Sequence, residues 1–218
     1  MDFSKFDSLP LLAILRGLPG AAIPGLADMA ARSGLTALEV TMNTEDAVPK
    51  IAALSEAAAG RFLVGAGTVL TRTDLDEALA AGASFIVMPT LEPAVVRVCV
   101  DRGIPVIPGA LTPQEVRAAQ VAGATLVKLF PASVFGPRYV KELLGPFSDL
   151  RLLACGGVDR DTLPAYFDAG VAAVAVGASV FRPDWLRESQ FDAVEARLKP
   201  LVDACKEALS LRGGAPAS

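Results

Sequence analysis

Eight short apolar runs recur along this chain at nearly even spacing, and no other feature limits its fold so strongly. They occupy residues 11–15 (LLAIL), 37–40 (ALEV), 62–66 (FLVGA), 85–89 (FIVMP), 104–108 (IPVIP), 126–130 (LVKLF), 152–155 (LLAC) and 171–176 (VAAVAV), with starts 19 to 26 residues apart. That interval is about one strand, one helix and two short loops. Ala-rich segments of helical spacing lie between the runs. A glycine precedes several of the strands, at Gly34, Gly82, Gly103, Gly123 and Gly170, where the end of a helix favours a residue without Cβ. Most runs are continuously apolar, as in parallel strands buried on both faces. Eight βα units in 218 residues predict an α/β fold, a TIM (β/α)8 barrel forming a single domain over residues 1–212, with its active site at the C-terminal ends of the strands. An open doubly wound sheet is the alternative, but no GxGxxG opens a first helix. The last helix is expected from about Phe191 to Ser210, and residues 213–218 are expected to form a flexible tail.

Composition narrows the chemistry. The chain has no histidine, which excludes a Ser-His-Asp triad, a Cys-His pair, a histidine base and a histidine-ligated zinc. Acid–base work falls to Glu, Asp, Lys, Tyr or Cys. A net charge of −4 and a pI near 4.9 argue against nucleic acid as a partner and for a small molecule. The longest charge-free stretch, Ala78 to Leu91, has 14 residues, short of the roughly 18 that a membrane span needs. Cys99, Cys155 and Cys205 show no CxxC spacing and suit neither a disulfide framework nor a zinc site. With Asp2, Lys5 and Asp7 at the start and Arg16 stopping the first apolar stretch, no targeting segment is visible. A cytoplasmic location is expected.

Charges inside buried strands are costly unless paired or functional, and two interrupt the runs themselves: Glu39 in ALEV and Lys128 in LVKLF. Strands 2 and 6 face each other across a barrel interior just wide enough for side chains, so the two can share a pocket. A desolvated lysine can be a free amine and attack a ketone to form a Schiff base, with a carboxylate beside it to move protons. The alternative is a structural ion pair. Strands 7 and 8 run into Gly156-Gly157 and Gly177-Ala178-Ser179, the positions where barrel loops bind phosphate through backbone N–H groups; the alternative is two tight turns. Arg16, after strand 1, is either a fixed cation for a carboxylate or a helix-dipole cap. Thr68, after strand 3, can bind a carboxylate or carbonyl oxygen. Cys155 reads as a small buried hydrophobe, there being no histidine to activate it.

The segments LLAILRG, LEVTMNT, VGAGTVL, FIVMP, PGALTP, VKLFPAS, CGGV and VGASVF, in order and spacing across about residues 9 to 182, resemble the 2-keto-3-deoxy-6-phosphogluconate and 6-phosphogalactonate aldolases. The resemblance implies a class I aldolase on a TIM barrel, usually a homotrimer, working without metal or cofactor. Such an enzyme cleaves a phosphorylated six-carbon keto-deoxy sugar acid to pyruvate and glyceraldehyde 3-phosphate. It implies Lys128 of KLFP as the Schiff-base lysine, Glu39 of EVT as general acid/base, Thr68 at the pyruvyl part, and Gly156, Gly157 and Ser179 at the phosphate. Phe130 and Gly177 of the same segments are further expected substrate contacts. The gluconate branch carries an Arg where this chain has Asn43 and a Thr where it has Cys155; both departures resemble the galactonate branch, as does the ASVFGP segment after strand 6. The galactonate epimer is therefore the expected substrate, with its carboxylate left mainly to Arg16 and backbone groups; the gluconate epimer, or both, is the alternative. Among other classes, a phosphate-binding barrel isomerase would share the glycine loops without needing Lys128, and a non-catalytic binding barrel would tolerate loss of Lys128 or Glu39.

Overall fold

The computed structural model describes residues 3–213. Eight parallel strands follow one another around a barrel: β1 (Leu11–Leu15), β2 (Ala37–Thr41), β3 (Leu63–Gly67), β4 (Ile86–Val87), β5 (Val106–Ile107 and Gly109–Ala110), β6 (Val127–Leu129), β7 (Leu152–Cys155) and β8 (Ala173–Val176). β1 pairs with β2 and β8, and the ring closes through β5, whose first piece pairs with β4 and whose second pairs with β6. Helices α2 (Ile23–Arg32), α3 (Ala47–Ala58), α4 (Arg72–Ala80), α5 (Pro93–Asp101), α6 (Pro113–Val121), α7 (Gly136–Leu144) and α8 (Leu163–Ala169) connect the strands, preceded by α1 (Ser4–Ser8) and followed by α9 (Pro183–Arg187) and α10 (Phe191–Gly213). All five glycines that precede strands have positive φ, from 64° to 107°, a region that a Cβ disfavours.

Four strands, β4, β5, β6 and β8, are shorter than the apolar runs that announce them. Pro108 has no N–H to donate to a ladder, so β5 breaks there, and at Gly109 a Cβ would run into the Pro89 carbonyl. The run at 85–89 is reduced to two paired residues. Val171 and Ala172 precede β8 because the Val171 N–H turns back to the Tyr166 carbonyl, 3.3 Å away. The last helix runs past Ser210 to Gly213; the rest of the expected tail lies outside the described residues. Among the described residues no helix is long and apolar enough to cross a membrane.

Strand alternation sorts the apolar side chains into two layers. Leu11, Ala13, Leu38, Val40, Val127, Leu129, Leu152 and Ala154 face the helices, whereas Leu12, Ala37, Phe85, Val87, Ile107, Leu153, Cys155, Ala173 and Ala175 fill the barrel. By the same alternation Glu39 and Lys128 point inward. Phe6 of α1 belongs to the interior cluster and plugs its N-terminal end, with the Phe3 ring 5.0 Å from that of Phe6 and 5.6 Å from that of Phe85. Because Phe6 is buried to 1% exposure in the interior cluster, Phe6→Ala is expected to lower the free energy of unfolding by about 3–5 kcal/mol, measurable by denaturant titration.

Candidate active site

The barrel opens at the C-terminal ends of its strands onto a cavity of about 370 Å³. Its walls are Ile14 of β1 and Arg16 just after it, Cys155 at the end of β7 with Gly156, Gly157 and Asp159 after it, and Ala175 of β8 with Gly177 and Ser179 after that strand; Phe130, directly after β6, closes one side. Phe130 also lines a second recess of about 280 Å³, formed by Pro89, Leu91, Gly109, Leu111 and Glu115, so its ring divides the barrel mouth.

Lys128 and Glu39 sit below this mouth, 7% and 1% exposed. Neither lines the wall of the cavity. The Lys128 ammonium lies 5.1 Å from the centre of the Phe130 ring, a cation–π distance. Cys155, one strand over on β7, stands beside Lys128; burial raises its thiol above the usual range, and the lysine's charge offsets part of that rise.

Glu39 lies in a setting that disfavours its charge. Burial pushes its carboxyl from 4.5 up to about 7, against the opposing pull of Lys128 and then of Arg16. Its Oε2 has no hydrogen-bond partner, and among the described residues no ion pair joins it to Lys128. The carboxylate instead leans on β3, where the space beside Gly67 is left free by the missing side chain.

The loops around the cavity are held by their own hydrogen bonds. The Ser133 N–H donates to the Gly156 carbonyl at 3.1 Å, and a Cβ on Gly157, whose φ is +76°, would stand 2.5 Å from Ser133 Cβ. Gly157 therefore has a packing reason as well as a loop reason to be glycine. The Asp159 carboxylate accepts from the N–H groups of Asp161 and Thr162 at 3.0 and 2.8 Å, bonds that hold it below the usual carboxylate range. On the other side, buried Thr44 accepts from the Gly17 N–H at 3.0 Å and contacts the Thr41 hydroxyl at 3.0 Å, tying the loop that carries Arg16 to the end of β2.

Of the residues singled out by sequence, the structure brings Arg16, Phe130, Cys155, Gly156, Gly157, Gly177 and Ser179 around one cavity, with Lys128 and Glu39 beneath it. Asn43 is exposed in the loop after β2, and Thr68 is half-buried at φ +56° after β3; neither lines the cavity. Gly67, Thr44, Ser133 and Asp159 were not legible as site residues. Asp159-Arg160-Asp161-Thr162 does carry the spacing of a side-chain-capped turn, and Gly65-Ala66-Gly67 places two glycines on one face of a strand, the only signals available.

The model of the KDPG and KHG aldolase family matches residues 4–197. The chain is 36% identical over 80% of its length, and 82% of the relative's, to a probable 2-dehydro-3-deoxy-6-phosphogalactonate aldolase of Rhizobium meliloti. It is 38% identical, over 81% of its length and 82% of the relative's, to a 2-dehydro-3-deoxy-phosphogluconate aldolase of Pseudomonas aeruginosa. A solved structure described as native KDPGal superposes with a TM-score of 0.85 at 33% identity, covering 93% of this chain and 97% of that one.

The Glu39 carboxyl titrates near 4.5 when unfolded and near 7 in place, so between those values the folded chain holds more protons than the unfolded one. Stability from this group is present below pH 4.5 and falls as pH rises through 7, by about 3 kcal/mol in all. Glu39→Gln is therefore expected to gain stability over the wild type as pH rises from 5 to about 7 and to hold that gain above it in urea titrations; a difference independent of pH would mean that Glu39 ionises at its ordinary value.

Proposed function

The chain belongs to the KDPG and KHG aldolase family, class I aldolases that break a carbon–carbon bond through a Schiff base, and from that premise we propose that it cleaves 2-dehydro-3-deoxy-6-phosphogalactonate to pyruvate and glyceraldehyde 3-phosphate. The observation that carries this reading is the placement of Lys128: a 7%-exposed amine inside an apolar barrel, under a cavity of about 370 Å³, with a buried carboxyl of pKa about 7 within coulombic reach.

In this reading Lys128 Nζ adds to the C2 ketone, and loss of water gives a protonated imine. Glu39 takes the C4 hydroxyl proton as the C3–C4 bond breaks and the electron pair moves into the imine to give an enamine. The enamine is reprotonated at C3 and the imine is hydrolysed, releasing pyruvate. A carboxyl that titrates near the working pH suits both the removal and the return of a proton. The phosphate is assigned to the loops after β7 and β8. Gly156 and Gly157 have φ of +92° and +76°, and the N–H groups of Gly157, Ala178 and Ser179 donate to no backbone acceptor among the described residues, leaving them free for an anion as in a backbone nest. Arg16 adds a positive charge on the same wall.

The choice of epimer rests on Cys155. It lines the cavity where a Thr would donate a hydrogen bond, and a thiol donates poorly; overall identity to the two branches, 36% and 38%, does not decide between them. Assembly as a homotrimer is also proposed, supported by the apolar Leu70, Val134 and Phe135, which are exposed to 42%, 59% and 55%.

Borohydride reduction in the presence of pyruvate, followed by peptide mapping, is expected to trap a single adduct on Lys128 and none in Lys128→Ala. An adduct on another of the six lysines would remove Lys128 from the mechanism.

Gluconate- and galactonate-type substrates differ only at C4, where one hydrogen bond changes the barrier by about 1–3 kcal/mol, or roughly 10- to 100-fold. The wild type is expected to show kcat/KM for the galactonate type at least equal to that for the gluconate type. Cys155→Thr is expected to move the ratio toward gluconate. A ratio that this substitution leaves unchanged would place the reading of C4 elsewhere.

A further inference from the structure

The two inward positions of β3 after Leu63 are both glycine, and the space each leaves is filled by a neighbouring side chain. A Cβ on Gly65 would stand 2.7 Å from Cδ2 of the Phe85 ring and nearer still to the ring's far edge. A Cβ on Gly67 would stand 2.7 Å from Glu39 Cδ and 3.3 Å from its Oε2, with Oε1 nearest of all. Neither glycine has positive φ, so backbone freedom is not what these positions require. Gly65 leaves room for core packing; Gly67 leaves room for a carboxylate.

The register explains the contact. Glu39 is paired with Gly65 and Thr41 with Gly67, so the Glu39 side chain, rising toward the barrel mouth, meets β3 one inward position above its own partner. The backbone cannot yield there, because the Met42 N–H donates to the Gly67 carbonyl at 2.7 Å and the two strands are paired along their whole length. Any side chain at 67 has to displace the carboxylate. The groups that face it from the other elements are Lys128 on β6 and Arg16 after β1, with the Cys155 thiol on β7.

We propose that Gly67 is a positioning residue for Glu39: its missing side chain gives the carboxylate a slot against β3 that holds it out of an ion pair with Lys128. This rests on the acid–base role assigned to Glu39 above. A carboxylate closed onto an ammonium stays ionised and keeps the nitrogen protonated, and both effects oppose imine formation followed by proton transfer. The slot keeps the two groups in one site without letting each neutralise the other.

The test is a double-mutant cycle read in stability and in activity. The three atoms nearest a Cβ at position 67 all belong to Glu39, so Gly67→Ala is expected to lower Tm in the wild-type background and to leave it unchanged or raised in the Glu39→Ala background. In activity, Gly67→Ala is expected to reduce kcat on the order of ten- to a hundred-fold with KM within about threefold, and to move the acid limb of the kcat profile to lower pH. Adding Glu39→Asp, whose carboxylate is one methylene shorter, is expected to recover several-fold of that loss. An unchanged kcat and pH profile in Gly67→Ala would overturn the proposal, and so would an equal loss of Tm in both backgrounds, which would show that glycine is needed for some other contact. Wild-type kcat in Glu39→Ala would instead remove the acid–base role of Glu39, and the Tm cycle would still report on the slot. If Gly67→Ala alone does not fold, folding of Gly67→Ala/Glu39→Ala supports the slot and its failure to fold overturns it.

Discussion

A barrel of eight strands has one interior, too narrow for water to surround a charge, and the way that interior is filled governs everything at its mouth. Phe6 from α1 and Phe85, just before β4, take up the lower layers together with Leu12 and Leu153. The upper layer is left to Ile14, Glu39, Lys128 and Cys155. Two ionisable groups in such a place stabilise the fold poorly compared with apolar side chains of the same size. Their presence costs stability that the large outer core of helices on strands can absorb.

The cost falls mainly on Glu39. Its carboxyl has an unpartnered oxygen, full burial and a pKa raised to about 7. An ion pair with Lys128 would relieve that strain on the charge, yet the chain places the carboxylate on β3 against a glycine. The same economy of space recurs at Gly65, where the Phe85 ring takes the place of a side chain. An interior crowded from one strand and emptied on the next lets a buried acid and a buried amine lie close together without collapsing onto each other.

Above them, the loops divide the work. Hydrogen bonds from Ser133 to Gly156 and from Gly17 to Thr44 fix the two sides of the cavity, and Asp159 spends its carboxylate on the turn that follows the glycines. Arg16 lines that cavity, and the Phe130 ring separates it from the recess over β5 that Glu115 lines.

The sequence by itself determined the number and order of the strands, the helix ends at glycine, and the singularity of Glu39 and Lys128, because each is a matter of local periodicity: apolar runs, left-handed caps, and a charge where the pattern calls for none. It also placed Gly156, Gly157, Gly177 and Ser179 at strand ends on one face of the barrel. Only the tertiary structure decided that Asn43 and Thr68 stand away from the cavity and that Glu39 leans on Gly67 instead of pairing with Lys128. The last outcome turns on Gly67, 28 positions from Glu39, and on Lys128, 89 positions from it. A glycine on a strand carries no mark of the side chain that will occupy its space, so the slot for Glu39 becomes visible only when β2 and β3 lie side by side.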